Sequence, residues 1–380
     1  MRYPTRIALA LLAALVLVLA AACEDIGEEF EDAAPDDVED PEEPDEEDDP
    51  DEVAEPDPDE AEDPEPDEDT ADAQASCADV AFDGDSATVA YMPPATEFPY
   101  YRAIEQGLEA RAEELGHETF TLAPLEDNVE EQIGMFQDVL QRDPDAVVLS
   151  THDEQAAAPL VEQMVDAGIA VAIVNTDIPD FPTPIHAVVG YVQRDGTYKL
   201  GQHVAEEYGT DFNVGLIEGV PGYHSDERIG GFVDAIEEHE GFEIIETLPG
   251  DWNIEGGNDA GMDMLQSHPE IDLIMAANDY MAIGANAAAE SLGQDDVLIF
   301  GNDGDTQGLE EIAAGDWEAT VMTFPFDMGE DTMQVIHDCL TEGEVESFFH
   351  EIPTEVVEED EALELLQQPE RLYPEPAQEY

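Results

Sequence analysis

Leu273-Ile274-Met275-Ala276-Ala277-Asn278-Asp279-Tyr280-Met281-Ala282-Ile283-Gly284 opens on five apolar residues, breaks at Asn278-Asp279, and resumes as a segment of helical composition. A short apolar run bounded by turn residues predicts a buried strand over 273–276. The spacing after it predicts a helix over 281–292, and a second apolar run predicts a strand over 297–301. Strand, helix and strand in succession imply parallel pairing, with helices covering the sheet faces.

The same alternation extends toward the amino terminus. Strands are predicted over 88–92, 118–122, 146–150, 171–175 and 187–189, separated by helices over 100–115, 129–141 and 155–167. In the first of these helices Ile104, Leu108, Ala112 and Leu115 share one face, and Gly116 ends it. The pattern then restarts, with helices over 198–208, 227–238 and 257–267 and strands over 213–218 and 243–248. Two such sets give an α/β protein of two doubly wound parallel-sheet lobes. In open parallel sheets ligands bind outside the carboxyl ends of the strands. The turns at those ends are polar or aromatic: Phe98-Pro99-Tyr100-Tyr101, Asn175-Thr176-Asp177, Asn278-Asp279 and Asn302-Asp303-Gly304. The cleft between the lobes is therefore the expected site.

Charge narrows the function. The chain has 98 Asp plus Glu against 9 Lys plus Arg, a formal charge of −89 over 380 residues. No basic face for nucleic acid can be built from so few cations, nor a polybasic patch for an anionic membrane. Residues 24–76 hold 30 of the acids in 53 positions with no base, which predicts an extended, disordered spacer. The remaining 68 acids face only 7 bases after Ser76 and spread over every predicted helix. Cation screening at high salt, with a Debye length of roughly 3 Å at 1 M, would relieve that repulsion, so a halophilic protein is expected. An acidic interaction patch would concentrate the charge instead.

Arg2 and Arg6 precede an apolar stretch over 7–22 that stops at Cys23. A basic start and a short apolar run ending in small residues form an export signal over 1–22, too short for a stable membrane span. Leu19-Ala20-Ala21-Ala22-Cys23 resembles a bacterial lipoprotein cleavage box, with Ala20 where that box usually has Leu or Val. It implies lipidation at Cys23 and a tether over 23–76; a soluble secreted form cut nearby is the alternative. Export permits disulfides, so Cys77 and Cys339 either pair, tying the domain's start to its end, or stand as two free thiols.

Residues 87–357 resemble the periplasmic sugar-binding proteins of the ribose-binding type, which share a fold with the ligand domain of lactose-repressor-like regulators. The resemblance rests on the 275–284 stretch and Phe300-Gly301-Asn302-Asp303-Gly304. Supporting it are the Phe-Pro-Tyr-Tyr turn, Glu227-Arg228-Ile229-Gly230-Gly231-Phe232, and Asp251-Trp252. It implies a three-crossing hinge, near 190–193, 323–326 and 353–355. The lobes are then 77–191 plus 322–357 and 192–321, followed by an acidic carboxyl-terminal tail over 358–380. It also implies that Tyr100, Tyr101 and Trp252 stack on a sugar, and that Asn278 and Asp303 bond its hydroxyls. Arg228, Asn175, Asp226 and Thr323 occupy the remaining ligand positions.

Three of those positions depart from the ribose-type pattern. Asn175-Thr176 stands where Asp-Arg is usual, Asp226 replaces an arginine two residues before Arg228, and Thr323 replaces a glutamine. Loss of two cations, with acids at Asp226 and Asp303 and Glu97 nearby, makes an amine-bearing solute an alternative to ribose. Structural roles also compete: Tyr100, Tyr101 and Trp252 as packing residues, Asn278 and Asp303 as helix caps, Arg228 as a structural ion pair.

No catalytic or cofactor motif occurs, and the nine histidines include no i, i+4 helical pair. Asn302-Asp303-Gly304-Asp305 is similar to a calcium loop, but its glycine comes two positions early and the twelfth position lacks Glu. No metal and no cofactor are therefore expected. The expected function is a monomeric, lipid-anchored, extracytoplasmic binder, not an enzyme, that delivers a small polar ligand, a sugar above all, to the permease of an ABC-type importer. A sensory receptor using the same closed form is the alternative. A DNA-binding repressor is excluded by the export signal and by the lack of a helix pair ahead of the lobes.

Overall fold

Val89 and Tyr91 face one way and Ala90 and Met92 the other, yet all four are buried. A strand apolar on both faces must be covered on both, and that requirement organises the molecule. In the computed structural model, which describes residues 74–96, 98–125, 128–178, 181–368 and 372, the first lobe contains β1 (Thr88–Met92), α1 (Pro99–Leu115), β2 (Glu118–Thr121), α2 (Val129–Gln141), β3 (Ala146–Leu149), α3 (Glu154–Asp166), β4 (Ala170–Val174) and β5 (Ala187–Gly190). The second continues with α4 (Gln193–Glu207), β6 (Asn213–Glu218), α5 (Tyr223–Glu237), β7 (Glu243–Pro249), α6 (Ile254–Ser267), β8 (Leu273–Ala276), α7 (Asp279–Leu292), β9 (Leu298–Asp303), α8 (Thr306–Ala314) and β10 (Ala319–Met322). The chain then returns through α9 (Pro325–Glu342) and β11 (Phe349–Glu351), and ends its described path in β12 (Glu355–Val357) and α10 (Glu359–Leu365).

One sheet has the order β11-β5-β4-β3-β1-β2 and the other β12-β10-β9-β8-β6-β7. All pairings are parallel except β10 with β12. In the first lobe Val89 and Tyr91 join the core under α1 and α9, while Ala90 and Met92 join that under α2 and α3. In the second, Ile274 and Ala276 face α6 and α7, and Leu273 and Met275 face α4 and α5. α1 and α9 approach closely at two glycines: a Cβ on Gly107 would lie 2.0 Å from Phe326 O, and one on Gly329 2.1 Å from Ile104 O.

Sheet membership puts the three crossings after β5, between β10 and α9, and between β11 and β12. Phe324, at φ 49°, turns the second. Two boundaries differ from the sequence reading. Met322 and residues 355–357, expected in the first lobe, belong to the second sheet, because β12 pairs antiparallel with β10. The carboxyl-terminal tail is not featureless: α10 packs on α8 through buried Ala362 and Leu365. Helices α4 and α5 begin five and four residues earlier than predicted, since their first turns carry Gln193, His224 and other polar residues that hide the apolar period.

Cys77 and Cys339 are joined by a disulfide linking the chain before β1 to the last turns of α9, with Cα atoms 5.1 Å apart. The export signal, Cys23, nearly all of the acidic spacer, Glu97 and the end of the tail lie outside the described residues.

Candidate functional site

Between the carboxyl ends of the two sheets lies a small cavity lined by aromatic, amide, imidazole and charged side chains of both lobes. Its first-lobe wall starts where Pro99 opens α1 and sets Tyr100 and Tyr101 on the first turn. The Tyr100 hydroxyl donates to Asn175 Oδ1 at 2.7 Å and lies 3.2 Å from Thr323 Oγ1. The Tyr101 hydroxyl lies 3.2 Å from His152 Nε2. Asn175 leaves β4 at φ 66°, a left-handed conformation that asparagine tolerates better than most residues.

The second-lobe wall is built on α5, where His224 and Arg228, four residues apart, share a face. Arg228 Nη1 lies 3.0 Å from Asp303 Oδ1 and donates to Ala277 O at 3.0 Å, while its Nε donates to Gln193 Oε1 at 3.1 Å. Tyr191 and Trp252 flank the guanidinium, with ring centroids 5.8 and 5.4 Å away. Trp252 sits at φ 59° beyond β7, and Asp303 ends β9 at φ 123°. Of the six described non-glycine residues with positive φ, Asn175, Asp251, Trp252, Asp303 and Phe324 lie at strand ends or a lobe crossing. Strain concentrated there marks a functional region.

Burial pushes the Asp303 carboxyl up to about 6, against the pull of Arg228. Burial also holds the His224 imidazole well below its ordinary value, reinforced by His152 and Arg228. His152 and His224 meet edge to face across the cleft at 5.8 Å, and the Tyr223 hydroxyl donates to Asp177 Oδ1 across it at 3.2 Å. The Tyr280 hydroxyl, on the second-lobe wall, donates to Asp305 Oδ2 at 2.8 Å. A neutral imidazole, one ion pair, amides and aromatic faces make a site for hydroxyls and ring C–H groups.

Tyr100, Tyr101, Asn175, Arg228, Trp252, Asn278 and Asp303 all line this cavity. Asn278 also caps α7: its Oδ1 accepts from Met281 N at 2.9 Å and its Nδ2 donates to Trp252 O at 3.2 Å. Two residues were misplaced by sequence reasoning. Asp226 is exposed, because two residues along a helix is about 200° around it and Arg228 takes the inward direction. Thr323 stands behind Tyr100 rather than on the wall, donating to Asp303 O at 3.1 Å. His152, His224 and Tyr280 went unselected, as did Phe98 individually. His224 would have emerged from the i, i+4 spacing had α5 been started one turn earlier. Among the described residues no group of three His, Cys, Asp or Glu could hold a metal. In the stretch similar to a calcium loop, Asp303 turns to Arg228 and Asp305 caps α8.

Residues 89–344 match the family model described as periplasmic binding protein domain. The D-ribose/D-allose-binding protein of Pseudomonas aeruginosa is 33% identical over 176 residues, 44% of this chain and 54% of that protein, so the match spans about half of the relative's length. The ribose import binding protein of Escherichia coli is 25% identical over 246 residues, 64% of this chain and 81% of the relative. Two solved structures align at TM-score 0.69. One is a periplasmic solute-binding protein from Actinobacillus succinogenes with bound D-allose, 22% identical over 73% of this chain and 99% of its own. The other, from Bacillus halodurans with bound myo-inositol, is 23% identical over 75% and 99%. At these identities the two structures speak to the fold.

Proposed function

The chain belongs to the periplasmic binding protein domain family, whose members bind solutes and do not turn them over, and from that membership we propose that it captures a small neutral sugar or cyclic polyol for an ABC-type importer. The observation that carries this reading is the Arg228–Asp303 pair, set beside Trp252 in the cavity wall. A carboxylate accepts hydroxyl hydrogens, a guanidinium donates to oxygen, and an indole face takes ring C–H groups. The sugar and polyol ligands of the relatives support the assignment. Because the one carboxylate among the described residues of the wall is already matched by a guanidinium, the site favours a neutral guest over an amine.

Binding would close the lobes by rotation about the three crossings, presenting both to a membrane permease. We assign the export signal, lipidation at Cys23 and the acidic spacer to a tether that keeps this domain at the outer face of the membrane. A thermal-shift and calorimetry panel of D-ribose, D-allose, myo-inositol and a diamine tests the reading. At least one neutral compound should raise the melting temperature and shrink the radius of gyration. Response to the diamine alone, or to none of the four, would overturn it. For the tether, Cys23→Ser should release the chain from the membrane fraction.

A further inference from the structure

Gln193 is fully buried at the start of α4, directly after the first crossing, and touches two residues of the cavity wall at once. Its Oε1 accepts from Arg228 Nε at 3.1 Å. Arginine cannot release that proton, so a flipped amide would set donor against donor, and the carbonyl must face Arg228. Gln193 Nε2 then falls 2.8 Å from His224 Nδ1, closer than the 3.1 Å between that nitrogen and Oε1. A proton on Nδ1 would press on the amide hydrogens at the shorter distance. Nδ1 is therefore the acceptor, and a neutral imidazole must carry its proton on Nε2. That nitrogen takes no partner among the described residues, and His224 lines the cavity.

We propose that Gln193 is a positioning residue that fixes His224 as a hydrogen-bond donor to the ligand, so that the second lobe presents donors at His224 and Arg228 beside the acceptor Asp303. The ligand class this selects is one bearing an acceptor oxygen within reach of both donors and a hydroxyl for the carboxylate. The tie also runs from the crossing segment into the site, so the direction of His224 depends on the first residue of the second lobe. The ligand half of this inference rests on the function proposed above; the ring state of His224 does not.

Long-range proton–nitrogen correlation spectra of the full chain, with His224 identified by its loss in His224→Phe, read the ring directly. The wild type should show a protonated Nε2 and a bare Nδ1. Gln193→Glu, nearly isosteric, places an acceptor on both partners and should move the proton to Nδ1 or charge the ring, raising its midpoint in a pH titration. Gln193→Leu should leave the tautomer unfixed. With whichever of D-ribose, D-allose or myo-inositol binds, His224→Phe should weaken affinity by about tenfold, the loss of one buried hydrogen bond, and Gln193→Glu should do the same above the pH at which its ring is neutral, where the proton sits on Nδ1 and Nε2 is bare. A wild-type ring protonated at Nδ1 overturns the proposal whatever binds. An unchanged tautomer in folded Gln193→Glu overturns it equally, as does unchanged sugar affinity in both variants. If none of the three sugars binds, the functional reading falls and the ring state alone decides the role of Gln193.

Discussion

Arg228 Nη1 and Asp303 Oδ1 stand 3.0 Å apart in the cavity wall, with both side chains almost wholly removed from water. Each charge is tolerable there only because of the other. Removing one partner of such a pair costs about 3–5 kcal/mol, since it strands the survivor. Asp303→Ala should therefore lower unfolding free energy by about that amount and weaken sugar binding by about 1–3 kcal/mol. Asn278→Ala separates the roles, because both ends of its amide are already committed to α7 and Trp252. It should lose about 1 kcal/mol of stability, the usual worth of a cap, and weaken binding less than Asp303→Ala. Equal binding losses in calorimetry would mean that Asn278 turns from its cap to the ligand.

The same carboxyl sets a pH dependence. Burial, opposed by Arg228, raises Asp303 to about 6 from an ordinary value of 3.8. A raised carboxyl binds its proton more readily in the folded chain. Its contribution to stability is thus fully present below 3.8 and lost as pH rises through 6. Ligand binding runs the other way, because only the carboxylate accepts two hydroxyls. Affinity should fall as pH drops through 6 in titrations between pH 5 and 8. A flat profile would remove Asp303 from the ligand contacts.

Strand positions were legible because β3 and β4 are apolar throughout, and only a doubly covered parallel sheet buries such runs. The aromatic and amide residues at strand ends were legible for the same reason: the carboxyl edge of a parallel sheet is where polar residues gather. Other features depend on directions that spacing alone does not give. Asp226 and Arg228 are neighbours in sequence but face opposite ways once α5 is wound. Gln193 lay outside every predicted element, and its role exists only where α4 meets α5. β12 was lost because three residues carry no period, and its place follows from pairing with β10 rather than from its own sequence.

The Cys77–Cys339 bond closes a loop with a sequence separation of 262. In the chain-entropy account, loops beyond 100 residues contribute about 5 kcal/mol, often less in practice. The bond joins the chain before β1 to the end of α9, at the edge of the sheet opposite the cavity. Cys77→Ala with Cys339→Ala should lower the denaturation midpoint measurably while leaving sugar affinity within about twofold. A larger change in affinity would place the bond in control of lobe geometry.

Of the six described basic residues Arg228 is buried, which leaves five for a surface dense in carboxylates, and Arg194 and Lys199 are already engaged by Glu227, Asp234 and Asp195. Most surface acids therefore have no cation of the chain to meet, and only mobile ions can screen them. The melting temperature should rise by several degrees between low and molar potassium chloride, about 1–2 kcal/mol at this size. No rise would mean that the acids are spaced widely enough not to repel, and the halophilic reading would be withdrawn.

Gly219, just past β6, lies flat against the Trp252 ring: a Cβ there would fall 2.0 Å from Cζ2 and 2.1 Å from Cε2. Such an approach is possible only without a side chain, so the backbone at residue 219 helps set where the indole lies. Gly219→Ala must displace the ring or the loop. Overpacking of this kind costs about 1–3 kcal/mol, and here the yielding element is the indole proposed to stack on the ligand. Sugar affinity should therefore drop by about tenfold or more, although residue 219 is absent from the cavity lining. The chain has only two tryptophans, so emission of the free protein should report the displacement, and a Trp317→Phe background isolates Trp252. Wild-type emission combined with wild-type affinity in Gly219→Ala would show that the loop gives way instead, and that the indole's position is set by its other contacts.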